Sequence, residues 1–147
     1  MMADKIKALI LVIIQLCCIL FIFVSGSPVA HQPLLLLLQI VGMAIGVWAI
    51  TVMGIGNMNI SPLLKEGAVL VTRGPYRLIR HPMYLAVLLV IWPLIIDDIS
   101  LMRVTAGVVL TVILIIKMLF EESLMKKQFA GYKNYMKTTK RVIPLFF

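Results

Sequence analysis

Charge is scarce in this chain. Of its 147 residues only 14% are Asp, Glu, Lys or Arg, while 62% are hydrophobic and the mean hydropathy is +1.07. A small soluble core cannot hide that much apolar surface, so the composition excludes an ordinary water-soluble domain and places the chain in a membrane. Cysteine is nearly missing as well. Cys17 and Cys18 stand side by side in one apolar run. They cannot build a disulfide framework, and they lack the histidine and second cysteine cluster that a zinc site requires. They read as small, buried, inert thiols, and no metal is expected. No Gly-rich phosphate loop is present, and no activated Ser, Cys or Lys nucleophile is evident. Acidic residues number six against fourteen Lys and Arg, a net charge of +8. These cations hug the apolar runs without any nucleic-acid motif, so they imply affinity for anionic lipid headgroups and argue against nucleic acid as a partner. No repeat, low-complexity linker or break in composition divides the chain, and residues 1–147 read as one integral-membrane domain.

What is abundant is apolar sequence, in four runs at 8–24, 34–53, 83–96 and 99–120. The first, second and fourth are about 17 to 22 residues, near the length that crosses roughly 30 Å of hydrocarbon as a helix. The third has only about 14, contains Pro93 and is followed by Asp97 and Asp98. It reads as the first arm of a hairpin that either extends back through Pro82 or lies partly in the interface, with the two Asp residues at the turn. The expected fold is an all-α, polytopic membrane bundle of about four transmembrane helices, including a C-terminal helical hairpin, followed by a cytoplasmic C-terminal helix. In the second run, Gly42 and Gly46 make a small-xxx-small face for close helix approach, within the chain or, as an alternative, in a homodimer. Gly54, Gly56, Asn57 and Asn59 then break helical order, and Ser61-Pro62 marks a turn.

Orientation follows the cations. Lys5 and Lys7 precede the first run; Lys65, Arg73, Arg77 and Arg80 lie between the second and third; Lys126, Lys127, Lys133, Lys137, Lys140 and Arg141 follow the fourth. The 25–33 loop has none, and the hairpin turn only Arg103. The positive-inside bias therefore puts both termini and the central loop in the cytoplasm of a multi-pass protein. Lys5 and Lys7 resemble the start of a signal peptide, but Asp4, the long run and the mediocre Ser25-Gly26-Ser27 exit favour a retained helix.

Chemistry-bearing residues gather in 73–84, a cationic and aromatic segment in an otherwise oily chain. Pro82 suits the first turn of a helix, making His81 its N-cap. Free N–H groups there, aided by the helix dipole, welcome a carboxylate or hydroxyl. Tyr84 lies within a turn of His81 and offers a ring face and a hydroxyl. Both residues are equally suited to simple interfacial anchoring. Glu121 and Glu122 end the fourth run, where adjacent carboxylates are costly unless something cationic meets them; Lys126, four residues after Glu122, is the ordinary candidate. If that helix runs on, Glu121, Met125, Gln128 and Tyr132 share a face with Tyr135 a turn farther. A hairpin would bring this stripe beside His81 and Tyr84. Such a pocket suits a ligand with positive charge, aromatic bulk and a carboxylate, and S-adenosylmethionine has all three.

The same residues carry a resemblance. Gly74-x-Tyr76, Arg80-His81-Pro82-x-Tyr84, Glu121-Glu122, Gly131-Tyr132-x-x-Tyr135 and Arg141-x-Ile143-Pro144 make the chain similar to the integral-membrane methyltransferases that include isoprenylcysteine carboxyl methyltransferases and phospholipid N-methyltransferases. The resemblance implies that His81, Pro82, Tyr84, Glu121 and Glu122 border an S-adenosylmethionine pocket, joined by Tyr132 of the stripe. It also implies that Arg141 lies near the acceptor end. There, with His81, it is a candidate catalytic residue: an arginine holds a carboxylate in bidentate fashion, and a histidine can take a proton from an amine. Ala86 departs from the glycine that many relatives carry after the Tyr, and Gly131 sits closer to Tyr132 than the usual Phe-Gly pair. The expected acceptor is a membrane lipid or lipidated small molecule, either a prenylcysteine-type carboxylate or a phospholipid amine. The alternatives are a non-catalytic membrane subunit on the same scaffold and a nicotinamide-dependent membrane reductase.

Overall fold

A computed structural model describes residues 2–54, 63, 67 and 69–143. Gly56, Asn57, Asn59, Ser61, Pro62, Lys65 and Pro144 lie outside the described residues. Among the described residues five α-helices form: α1 Met2–Val24, α2 Pro33–Met53, α3 Pro82–Asp97, α4 Leu101–Gln128 and α5 Tyr132–Thr138, with a 3-10 turn at Gly74–Arg77 before α3. The all-α polytopic bundle expected from the sequence is thus what the chain builds. α1, α2 and α4 are long and apolar enough to cross a membrane. Their outer faces carry Leu9, Leu20, Val47 and Ile116 exposed to the surroundings, as expected where hydrocarbon, not water, is the solvent. Cys17 shares this outer surface and Cys18 is half-buried, correcting the expectation of two buried thiols: α1 packs along one side only, and adjacent residues on a helix cannot both face it.

Helix length positions the site. α3, the hairpin's first arm, begins at Pro82, as its motif requires, and has 16 residues, about 24 Å of helix. α4 has 28, about 42 Å, so its final turns project past the start of α3 and carry Glu121 and Glu122 alongside it. α2 closes on α3 through its glycines. A β-carbon on Gly42 would stand 2.7 Å from Leu89 Cβ and 3.1 Å from the Ala86 carbonyl oxygen, and one on Gly46 would stand 3.3 Å from Ala86 Cβ. The small-xxx-small face is therefore occupied within the chain, and Ala86 fits because Gly46 opposes it.

The far end of the bundle is pinned by polar groups. Arg103 leaves the hairpin turn and folds inward, 2% exposed. Its guanidinium donates to the Ile22 carbonyl and Ser25 Oγ at 3.1 Å and to the Leu94 carbonyl at 2.7 Å. These carbonyls belong to the last turns of α1 and α3, where helix geometry leaves acceptors unpaired and the dipole favours a cation. Asp97 accepts from the backbone N–H groups of His31 and Gln32 at 2.8 and 3.1 Å, fixing the α1–α2 loop to the end of α3.

The Gly42 contact sets a stability difference. Gly42→Ala is expected to destabilise the detergent-solubilised protein by about 1–3 kcal/mol through overpacking, and Gly46→Ala by clearly less. Thermal unfolding measures both, and the reverse order would contradict this packing.

Candidate functional site

The site begins with a chain reversal. Gly74 adopts φ +59°, favoured by glycine, and sits so close to α2 that a β-carbon would meet Val52 at 2.8 Å. The following segment then runs parallel to the C-terminal tail. Ile79 bridges Lys140, Arg80 N–H donates to the Lys140 carbonyl at 2.8 Å, and His81 N–H donates to the Arg141 carbonyl at 2.9 Å. Pro82 opens α3 with His81 as N-cap, whose carbonyl accepts from Tyr84 and Leu85 N–H. This pairing brings Arg141 to the histidine although they lie sixty positions apart.

Glu122 is the electrostatic centre. Its side chain is 2% exposed and accepts from Arg80 Nε at 2.9 Å and from Arg141 Nε at 3.2 Å. Arg80 continues to the Thr139 carbonyl and Thr139 Oγ1, so one guanidinium ties α4 to the tail. Glu121, one residue earlier, points elsewhere because successive helix residues turn by about 100°. It accepts from the Tyr84 hydroxyl. His81 lies between the two carboxylates, Nδ1 3.6 Å from Glu121 and Nε2 3.6 Å from Glu122. Its ring stacks on Tyr84 with centroids 5.3 Å apart and planes 4° from parallel. Burial alone would push the imidazole down, but the two carboxylates outweigh it and hold its pKa above the ordinary 6.5. Burial raises the Tyr135 hydroxyl to about 12, so it stays protonated and donates to the Tyr76 carbonyl at 2.5 Å.

These groups stand at one end of a cavity of about 600 Å³. His81, Pro82, Tyr84, Glu121 and Tyr132 line it, with Arg80, Tyr76 and Tyr135. Glu122 and Arg141 do not; they form the layer behind. The sequence-derived set is thereby brought together in space but divided into a lining and a backing. The expected continuous stripe is corrected: α4 stops at Gln128 and the chain re-enters helix at Tyr132. Tyr132 still reaches the cavity, because the break at 129–131 lets α5 fold back. Arg141 lies past the end of α5, in the extended tail. Glu122 takes arginines from two distant segments in place of the Lys126 pair suggested by spacing.

Two polar cavity-lining residues, Lys117 and Gln15, fall outside the sequence-derived set. Lys117, 1% exposed, donates to Gln15 Oε1 at 2.6 Å and lies 5.6 Å from the Tyr84 ring centroid. Their signal is simple: a lysine and a glutamine each interrupt an otherwise apolar membrane run, where such residues are costly and tend to be functional.

A cavity with a polar and aromatic end, set within an integral-membrane helical bundle, is the candidate site. The sequence profile of the family described as phospholipid methyltransferase matches residues 33–131, about two thirds of the chain. The chain belongs to that family and is a membrane methyltransferase. No curated protein matches it at a significant level.

The split between the glutamates has a measurable consequence. Glu122→Gln leaves the nearly buried Arg80 guanidinium without its counter-charge and is expected to destabilise the protein by about 3–5 kcal/mol. Glu121→Gln, at the cavity wall, is expected to shift the thermal midpoint far less. Equal losses would place both carboxylates in the same role. The histidine adds a pH dependence. A pKa raised on folding stabilises fully below the unfolded value, about 6.5, and that stabilisation fades as pH rises through the higher folded value. The stability gap between the parent and His81→Gln should therefore be widest below about 6.5 and narrow as the solution becomes alkaline. Thermal midpoints across pH test this; a gap that grows with pH would show that His81 is held neutral.

Proposed function

We propose that the protein transfers a methyl group from S-adenosylmethionine to an amphiphilic acceptor drawn from the bilayer. The observation that carries this reading is the polarity of one continuous cavity. Its upper end holds His81, Tyr84, Glu121, Tyr132 and Tyr135, while its walls farther down are Ile19, Phe23, Met43, Val90 and Ile91.

The residues fit the cofactor. Among the described residues, Tyr76 Oη, His81 Nε2 and Tyr132 Oη are buried side-chain atoms without a hydrogen-bond partner, and all three belong to cavity-lining residues. Leaving such groups unpaired is costly, and a polar ligand would relieve them. Glu121 and the ring faces of Tyr84 and Tyr132 suit a sulfonium or amino group. His81, whose pKa is raised by the neighbouring carboxylates and whose Nε2 lacks a hydrogen-bond partner, is a donor for a ligand carboxylate. S-adenosylmethionine supplies an electrophilic methyl group whose bond to sulfur breaks with its electron pair staying on sulfur. The chain's share of the work is to bind, to align and to keep water out. Arg141 acts here through Glu122 and the backbone of His81, as a positioning residue.

The same geometry supports a cytoplasmic position for this end. With Arg103 drawn into the bundle, the surface at the hairpin end exposes no described Lys or Arg, while Lys126, Lys127, Lys133 and Lys137 crowd the opposite end.

Incubation of the purified protein with labelled methyl donor and total membrane lipid is expected to yield a labelled, solvent-extractable lipid. Calorimetry should show S-adenosylmethionine binding weakened at least about tenfold in Glu121→Ala and His81→Ala proteins that remain folded. Binding without any labelled product would favour a non-catalytic subunit. Absence of binding, or preference for a reduced nicotinamide, would overturn the proposal.

A further inference from the structure

We propose that Phe23 and Ile91 form a floor that sets the length of apolar tail the site prefers, and that buried Arg103 holds this floor in place. The inference rests on the reading of the cavity as a methyl-transfer site and deepens it by placing a limit on the acceptor.

The floor lies where the lining stops. On α1 the cavity is lined by Gln15, Ile19 and Phe23, one residue per turn, and on α3 its deepest residue is Ile91. Among the described residues of these two helices, none nearer the hairpin end lines it. Packed core begins there: Ile22, Leu35, Leu94, Ile95, Leu110 and Leu114 form one buried cluster. Ile91, 1% exposed, belongs to that cluster, and Phe23 packs against it. Tyr84, which donates to Glu121, marks the polar end on α3. From Tyr84 to Ile91 is seven residues of helix, so the apolar wall below the polar end is about 10 Å deep.

A floor measures length only if it does not give way. Arg103 donates to the Ile22 carbonyl, beside Phe23, and to the Leu94 carbonyl, one turn past Ile91. One guanidinium thereby ties both floor-bearing turns to the start of α4. Gln39 closes the same end from α2, donating to the Pro28 carbonyl at 2.9 Å and accepting from Ala30 N–H at 3.1 Å. The loop after α1 is thus fastened to α2, directly below the cavity. A close-packed region held in this way resists extra methylenes.

In a bilayer the tail is already surrounded by hydrocarbon, so entering the cavity brings little hydrophobic gain and packing decides the preference. A short tail leaves the space above Phe23 and Ile91 unfilled and forfeits contacts. A long tail must press into the core or bend away from it. Affinity relative to the surrounding apolar phase therefore passes through a maximum at the length that just reaches the floor. Phe23 and Ile91 act as specificity residues, and Arg103 as a positioning residue that touches neither tail nor reacting atoms.

The test titrates a homologous series of straight-chain fatty carboxylates, from octanoate to eicosanoate, into the detergent-solubilised full chain and compares affinities at equal micellar mole fraction. S-adenosylmethionine binding is measured separately on each protein. The parent is expected to show a maximum, with affinity about tenfold lower several methylenes beyond it. Phe23→Ala should move the maximum to longer chains, Phe23→Trp should move it to shorter ones, and Leu20→Ala, on the outer face of α1, should leave it in place. Arg103→Met should flatten the maximum. Should Phe23→Ala or Arg103→Met fail to fold, Phe23→Trp and Gln39→Leu, the latter also flattening the maximum, decide in their stead. Affinity without a maximum in the parent, a maximum unmoved by the Phe23 substitutions, an equal shift in Leu20→Ala, or a maximum as sharp as the parent's in Arg103→Met would overturn the proposal. Loss of S-adenosylmethionine binding by the parent overturns the methyl-transfer reading instead, and leaves the length series as an independent result.

Discussion

One buried carboxylate holds the site in shape. Glu122 lies on α4, Arg80 just before α3 and Arg141 in the C-terminal tail, and the three meet because an ionised carboxylate deep in a membrane protein is tolerable only when cations come to it. The consequences spread from that demand. Arg80 cannot reach Glu122 unless the segment before α3 lies against α4. Arg141 cannot reach it unless the tail pairs with residues 78–81. That pairing in turn fixes the backbone of His81, the residue that caps α3 and enters the cavity. The twin glutamates thus divide their work by the helix's own rotation. Glu122 is spent on architecture, and this leaves Glu121 facing the cavity with Tyr84 as its hydrogen-bond donor.

The two ends of the bundle are organised by opposite means. At the hairpin end, Arg103 gathers spare carbonyls from α1 and α3, and the surface is left nearly free of positive charge. At the other end, α4 overshoots α3, so that polar groups of both helices converge at one level, about where hydrocarbon gives way to headgroups. The shortness of α3 is what makes this work. A longer third helix would carry His81 past Glu121, and the stacking of imidazole on phenol beside two carboxylates would be lost. Gly42 and Gly46 complete the arrangement from the α2 side by letting α3 come close without a side chain between them.

Much of this was legible in the sequence because membranes impose simple rules. Run lengths gave the spans, and the Pro82 signal placed the start of α3 where it is found. The cost of two adjacent carboxylates flagged Glu121 and Glu122 before any partner was visible. What could not be read was partnership across long separations. The distance from Arg80 to Glu122 is forty-two positions and from His81 to Arg141 sixty, and no local periodicity encodes either. The helix break at 129–131 is not legible for a related reason: 121–135 can be drawn as one helical stripe, yet the chain breaks after Gln128 and Tyr135 donates to the Tyr76 carbonyl, a tertiary contact that local helix propensity does not encode. Lys117 and Gln15 were legible in principle. Each is a lone polar residue in an apolar run, a pattern as informative as a motif though it resembles none.

The protonation of the site constrains its chemistry further. Glu122 is engaged by two guanidiniums, the carboxylates around His81 raise its pKa against the effect of burial, and burial keeps the hydroxyls of Tyr76, Tyr132 and Tyr135 protonated. Glu121 is the one carboxylate among the described residues that lines the cavity, and so the natural partner of any bound cation. A single group cannot neutralise a cationic ligand and deprotonate an ammonium at the same moment without losing efficacy at one of the tasks. An acceptor that arrives already deprotonated removes the conflict. The arrangement of charges around Glu122, though it serves the fold, therefore narrows the chemistry that Glu121 can support.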